Sequence, residues 1–343
     1  MSTIRLSDTR PGAELLLCRI EGGMGMEKKL TEMGLLPGEK IRRIDAPSDG
    51  SIILIIKGAK IAIGKGMADR IIVEECMDRK TIKVALAGNP NSGKTSIFNN
   101  LTGTRQHVGN YPGVTVEKKE GLACHGNYAI SITDLPGAYS LTAYSLDEVV
   151  ARNFIIDEKP DIIVNVVDAS NLERNLYLST QLMEFGIPMV IAFNMSDIFE
   201  ATGFAADDEM LSGLLNADIV RTVGNKNKGI RELLEAIVKV YKSGCERKNV
   251  SVNYGNEIEE EASKIINLLE ALPCPAANYP KRWMALKLLE DDKYIMGLVK
   301  DRPAGDDIIK QVEAARSHIK AIFADETESV FADKRYGFIN GIL

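Results

Sequence analysis

The run Gly88-Asn-Pro-Asn-Ser-Gly-Lys-Thr95 constrains this chain more than any other stretch. It fits G-x-x-x-x-G-K-[ST], follows the apolar residues 84–87 and precedes a helical pattern that opens at Ile97 and Phe98. Such a loop turns successive backbone N–H groups and a helix N-terminus onto one anion, so strand, phosphate cradle and helix must follow one another in space. The motif predicts phosphate contacts from Gly88, Asn89, Pro90, Asn91, Ser92, Gly93, Lys94, Thr95 and Ser96. Lys94 is expected to reach the β- and γ-phosphates and Thr95 to ligate Mg²⁺. An incidental glycine turn with a lysine is the competing reading, and the strand before and helix after speak against it.

Around this loop, apolar runs alternate with helical patterns. Strands are predicted at 82–87, 130–134, 162–167, 189–193 and 218–221, with helices such as 94–101 between them, which is the pattern of a parallel sheet with crossover helices. Ahead of it, short glycine-broken strands at 52–56 and 61–63 and a helical stretch near 26–33 predict a small β-barrel. After about residue 250 the strand signal stops, and helical periodicity covers 258–272, 281–289, 292–299 and 308–324. The chain of 343 residues exceeds the roughly 250–300 at which a single core stops growing. The expected architecture is therefore multi-domain: a barrel over 1–76, an α/β P-loop domain over 82–243 and an α-helical domain over 250–343.

Base selectivity is read from Asn194-Met-Ser-Asp197, just after the predicted strand 189–193. An Asp there can accept from guanine N1–H and its 2-amino group, which adenine does not present, and a carboxylate left unpaired by the wrong base discriminates strongly. Asn194, Met195 and Asp197 are thus candidate guanine contacts. Asp134-Leu-Pro-Gly137 ends another predicted strand, with Asp134 placed to hold Mg²⁺ through water and the Gly137 N–H to bond the γ-phosphate. In Asn110-Tyr-Pro-Gly-Val-Thr115, Thr115 is the candidate that completes the Mg²⁺ shell when GTP is bound, flanked by Gly113 and Val114; an ordinary strand threonine is the alternative. Thr222, Val223 and Gly224 lie where a base-packing loop belongs, although Val-Gly replaces the common Ser-Ala.

Composition removes other classes. The net charge of −6 and the absence of a Lys/Arg-dense block argue against a nucleic-acid partner. Cys18, Cys76, Cys124, Cys245 and Cys274 form no C-x-x-C pair, so neither a zinc site nor a disulfide framework is suggested, and a reducing cytosol fits best. His107, His125 and His318 are scattered, and the acidic patches at 257–261 and 291–292 read as exposed helix faces. Nowhere do about 18 uncharged apolar residues run together, so the chain reads as soluble.

These blocks resemble ferrous iron transport protein B. The resemblance covers 88–99, 108–117 (VGNYPGVTVE), 134–140, 165–181 (NVVDASNLERNLYLSTQ), 194–197 and the RYGFI run at 335–339; residues 30–38 (LTEMGLLPG) and 47–58 are similar to ferrous iron transport protein A, an SH3-like barrel. The family implies a cytosolic GTPase and a helical GDI-like domain at the cytoplasmic face of the membrane. A membrane transport domain for Fe²⁺ is expected to follow Leu343, and a homo-oligomer is compatible with the family. It also implies activation by K⁺, held in part by Asn91 in the place of an arginine finger, so that Lys94, Thr115, Gly137 and Asn91 make up the catalytic set. Ala138 stands where a water-orienting glutamine is usual, so hydrolysis should be slow. A family carboxylate near Asp147 and Glu148 is expected to touch the helical domain, against the alternative of a solvated helix start. The competing function is a soluble K⁺-dependent GTPase of RNA or ribosome maturation.

Overall fold

A computed structural model of the chain describes residues 3–44, 51–56, 58–75, 80–103, 106–142, 145–201, 207–244, 251–270 and 279–343. Cys76, Cys245, Cys274, the last two residues of the helix expected at 258–272 and much of the expected junctions at 76–82 and 243–250 lie outside them. The chain divides into two compact units, 1–81 with 126–129, and 82–125 with 130–343.

The first unit is β-rich, with β1 (Ile4–Arg5), β2 (Glu14–Ile20), α1 (Met24–Glu32), β3 (Lys40–Ile44), β4 (Ile52–Ile56), β5 (Ala59–Ile63), α2 (Lys65–Ala68) and β6 (Ile71–Glu75). Its six strands lie in the order β1-β6-β2-β3-β4-β5. Alternation does the folding: Ile52, Leu54 and Ile56 of β4 point inward with Leu15, Leu17, Leu30, Leu35 and Val73, while the intervening residues face outward.

The second unit runs β7 (Lys80–Gly88), α3 (Lys94–Thr102), β8 (Gln106–Asn110), β9 (Glu117–His125), β10 (Tyr128–Asp134), α4 (Leu146–Glu158), β11 (Ile162–Asp168), α5 (Leu172–Met183), β12 (Met189–Asn194), α6 (Ser196–Ala201), α7 (Asp208–Leu215), β13 (Ala217–Arg221) and α8 (Ile230–Ser243). Five helices follow: α9 (Asn256–Glu270), α10 (Lys281–Leu289), α11 (Lys293–Lys300), α12 (Gly305–Phe323) and α13 (Thr327–Ile342). The seven strands are ordered β13-β12-β11-β7-β10-β9-β8. β12 is buried throughout and β11 nearly so, as parallel strands covered on both faces must be, which is why they read as unbroken apolar runs. Val166 stands opposite Gly88 and Asp168 opposite Asn194, so β7, β11 and β12 end level with one another. The chain leaves β7 toward one side of the sheet and β11 toward the other, and ligand crevices of open α/β sheets open at such a reversal.

One hydrophobic core extends from Ala85 of β7 to Ile342 of α13, so the sheet and the C-terminal helices pack as one body. Phe185, just after α5, packs on Trp283 of α10 at 5.2 Å between ring centroids, and Tyr177 of α5 stacks on Tyr336 of α13 at 5.1 Å. Buried charges fix the register of this packing. Arg152 of α4 donates to Asp292 at 2.9 Å, and Asp292 also caps α11 by accepting from the Tyr294 and Ile295 amides. Arg335 of α13 reaches both Glu184 and Glu290, Lys287 reaches Glu290 at 2.7 Å, and the Tyr254 hydroxyl donates to Glu184. Burial would lift the Glu290 carboxyl, but Arg335 and Lys287 hold it below its ordinary value.

The acidic patches expected to be exposed are corrected here. Asp292 and Glu261 are buried, Glu259 forms a forked pair with Arg282, and Asp291 accepts from Arg316 at 2.6 Å; Glu257 and Glu260 alone of the 257–261 carboxylates face solvent. The carboxylates find cations on other helices, which composition along one helix does not reveal. The β8–β9 hairpin was also unread in the sequence, because QHVGN and EKKEGLACH form a polar sheet edge with little apolar alternation.

Candidate nucleotide site

Gly93 is the N-cap of α3 and lies at φ +85, where a Cβ would stand 2.1 Å from Asn194 Nδ2. Only glycine permits both the left-handed backbone and this approach. The closeness is put to use: Asn194 donates to the Ser92 carbonyl at 2.8 Å and accepts from the Gly224 N–H at 2.9 Å. Ser196 adds a bond from its hydroxyl to the Thr222 carbonyl at 3.1 Å. A single buried asparagine thereby fastens the P-loop, the 194–197 segment and the 222–224 loop together. Its amide is engaged within the protein, whereas the sequence had placed Asn194 among the nucleotide contacts.

The other P-loop residues divide by exposure. Asn91 turns outward at φ +67, and Thr95 and Ser96 are exposed; Asn89 is buried and donates to the Arg174 carbonyl at the start of α5 at 3.4 Å. A Cβ on Gly137 would come within 3.3 Å of Pro90, and the Ala138 N–H donates to the Gly88 carbonyl at 3.3 Å, so the D-x-x-G segment lies against the P-loop. Lys94 donates to Asp134, and both are largely shielded from solvent. Burial nonetheless lifts the Asp134 carboxyl above its ordinary value, with Lys94 only partly offsetting it.

Thr115 is not a strand residue. It lies exposed in the 111–116 loop between β8 and β9, with Gly113 at φ +76 making the turn and Val114 half-buried. The Tyr111 N–H closes the loop on the Val116 carbonyl at 3.0 Å, and the Tyr111 hydroxyl donates to the Asp134 carbonyl at 3.1 Å. Tyr111 therefore ties this loop to the strand that ends at the candidate Mg²⁺ carboxylate. The sequence reading passed over it; a tyrosine directly before Pro112 is all the sequence shows there.

Beyond Gly137, the residues from 138 to 141 are held by the end of β7, by α4 and twice by α5. The Arg174 guanidinium lies 4.3 Å from the Tyr139 ring centroid, Ser140 donates to Glu148 at 2.9 Å, and the Leu141 N–H donates to Gln181 of α5 at 2.5 Å. Ser145 and Glu148 complete a capping box at the start of α4, an arrangement that stabilises a helix start by about 1 kcal/mol. Glu148 is thus buried at the cap and Asp147 is exposed, and the α4 side chain that bonds the helical part is Arg152, one turn later.

At the base end, Asp197 accepts from the Ile198 N–H at 3.1 Å and pairs with Lys226 at 2.6 Å. Met195 is in the left-handed region at φ +59, and Thr222, Val223 and Gly224 are buried. The Val223 N–H donates to the Lys228 carbonyl at 3.1 Å and that of Gly224 to Asn194, so both amides of this loop are donated within the protein.

Four motif segments converging on the C-terminal edge of a parallel sheet define a P-loop G-domain, here packed on a helical domain and preceded by a small β-rich unit. The chain belongs to the ferrous iron transport protein B family. The profile described as Ferrous iron transport protein B matches residues 82–237, that of the FeoB cytosolic helical domain matches 254–343, and that of the FeoA domain matches 4–75. A Porphyromonas gingivalis Fe(2+) transport protein A/Fe(2+) transporter FeoB fusion protein is 37% identical over 99% of this chain and 46% of its own length. The Escherichia coli K12 Fe(2+) transporter FeoB is 39% identical over 77% of this chain and 33% of its own. The chain thus spans at most about half the length of these curated relatives. Among solved structures, an S. thermophilus NFeoB mutant bound to mGDP is 37% identical with a TM-score of 0.70, covering 77% of this chain and 98% of that one. The apo cytosolic domain of T. maritima FeoB is 32% identical with a TM-score of 0.64, covering 76% and 97%.

Proposed function

We propose that this chain is the GTP-binding, slowly GTP-hydrolysing module of a ferrous iron membrane transporter, dependent on Mg²⁺ and activated by K⁺. The observation that carries the reading is Asn194, whose side chain holds the phosphate loop and the base loop in one fixed relation. Gly88 to Ser96 would cradle the phosphates with Lys94, and Asp197 would read the guanine edge. Thr222 to Gly224 would pack against the base, with Met195 beside it.

Thr95, Asp134 and Thr115 supply an all-oxygen donor set, which suits Mg²⁺ completed by phosphates and water. Among the described residues no cluster of three or more His, Cys, Asp or Glu is placed to hold a metal, so a nucleotide-linked ion fits better than an all-protein cage. Asp134, left with its carboxyl raised by burial, favours added positive charge. Bound Mg²⁺ would neutralise charge developing on the phosphates. The exposed, left-handed Asn91 presents an amide oxygen for K⁺, whose role is likewise electrostatic.

Gly137 would sense the γ-phosphate and Thr115 would close with it. The methyl of buried Ala138 cannot orient a water, so the intrinsic rate should fall in the slow range of roughly 10⁻⁴–10⁻² s⁻¹. By the same reading 1–76, 82–243 and 250–343 are the barrel, G and helical modules, the last two sharing one core, and a Fe²⁺-carrying membrane domain follows Leu343 with these modules on the cytoplasmic face. No helix among the described residues is long and apolar enough to cross a membrane. Competition titration with Mg²⁺ should show GTP and GDP binding and no ATP binding, with Asp197→Asn moving preference toward xanthine nucleotides. Equal affinity for ATP and GTP would refute the assignment.

A further inference from the structure

The base-reading carboxylate is already occupied by a cation. Lys226 sits on the short turn Gly224–Lys226, whose geometry is fixed at several points. The Lys226 N–H donates to the Val223 carbonyl at 2.9 Å, Val223 and Lys228 form a bridge, and Asn227 follows in the left-handed region at φ +54. Gly229 closes the turn at φ +77, where a Cβ would meet the Arg221 carbonyl oxygen at 2.1 Å. Asn194 and Ser196 dock the strand end and loop that lead into this turn onto the segment carrying Asp197. The Lys226 ammonium therefore approaches Asp197 from a rigid platform and contacts Oδ2 at 2.6 Å, while the Ile198 N–H bonds Oδ1 at 3.1 Å.

We propose that Lys226 is a specificity-determining residue of the guanine site, a cation that competes with the base for Asp197 Oδ2. The inference rests on the reading of Asp197 as the guanine contact. Guanine brings two donors, N1–H and the 2-amino group, to two carboxylate oxygens, so the donor that meets Oδ2 must share that oxygen with the Lys226 ammonium and its bond is weakened while the ion pair stands. Hypoxanthine brings N1–H alone and can bind with Lys226 in place. Lys226 accordingly taxes guanine and spares hypoxanthine, lowering the preference for the 2-amino group. Lys226 is exposed and the Asp197 side chain is 35% exposed, and ion pairs so open to solvent are weak. The effect should therefore be modest, about two- to five-fold.

The test measures Kd for GDP and IDP with the full chain, Lys226→Ala, Lys226→Arg and Asp197→Asn. Taking the ratio Kd(IDP)/Kd(GDP) cancels the phosphate contribution. In Lys226→Ala the ratio should rise about two- to five-fold, through tighter GDP binding and little change for IDP, and Lys226→Arg should keep the original ratio. An unchanged or lower ratio in Lys226→Ala, while Asp197→Asn still abolishes guanine preference, overturns the role of Lys226 alone. If Asp197→Asn leaves base preference untouched, the guanine contact itself is wrong and this inference falls with it.

Discussion

Replacing Arg152 by Met should loosen the contact between the sheet and the C-terminal helices. The Arg152 side chain is fully buried and that of its partner Asp292 is 4% exposed, so the substitution leaves a carboxylate in a dry interface with only the α11 cap amides for compensation. Removing one member of such a pair typically costs about 3–5 kcal/mol. Lost contact between the guanidinium and the Tyr294 ring, 4.7 Å away, adds to this, on the order of 1 kcal/mol. Asp292→Asn in the same background keeps the cap and removes the stranded charge, so the double variant should recover about half of the loss or more. Trp283 is the only tryptophan and lies in this interface, so its fluorescence during urea unfolding reports the contact directly. α4 starts at the box in which Glu148 also holds Ser140, so loosening α4 should change GDP affinity, within the usual 5–150-fold range of coupled sites. A loss below about 1 kcal/mol in the Trp283 transition, with the double variant no better than the single, would show that the bridge is solvated and does not bear on docking.

Four further outcomes are expected. Gly93→Ala should abolish nucleotide binding in a titration while the chain stays folded by circular dichroism, because the new methyl displaces Asn194 from the Ser92 carbonyl. Asn91→Ala should leave GDP affinity largely intact and erase the difference in GTP hydrolysis rate between K⁺ and Na⁺; equal rates in the unmodified protein would end the K⁺ assignment. Gln181→Ala frees the Leu141 N–H, and the 138–141 segment should lose hydrogen-exchange protection there by about tenfold, the equivalent of one hydrogen bond of about 1–1.5 kcal/mol. Arg282 holds the Glu259 carboxyl below its ordinary value against the opposing effect of burial, and Lys293 with Arg316 does the same for Asp291. Stability from such depressed carboxylates is complete above their unfolded pKa values and is lost as pH falls through the folded ones, so the Trp283 midpoint should drop below about pH 4.5 and less steeply in Arg282→Ala.

The parts of this molecule legible in its sequence are those whose determinants are local. The P-loop, the strand end at Asp134, the segment after β12 that carries Asp197, and the helical periodicity after residue 250 are each specified within a few neighbouring residues. What escaped was nonlocal or polar. Arg152 and Asp292 are 140 residues apart and Arg335 and Glu184 151 apart, and nothing within either segment says which charge will meet which. The acidic runs at 257–261 and 291–292 looked solvated because a carboxylate in sequence carries no mark of its eventual cation. The same blindness hid α5, whose residues do three different jobs at once. Its first turn presents the Arg174 carbonyl to Asn89 of the P-loop and the guanidinium to Tyr139. Its middle places Gln181 on Leu141, and Tyr177 on the same helix stacks on Tyr336 of α13. Glu184, one residue past its end, receives Arg335. A helix is stiff along its axis, so the 138–141 segment and α13 rest on one rigid element. The sequence suggested α4 as the link between the nucleotide site and the helical domain. The structure also sets α5 against both the 138–141 segment and α13.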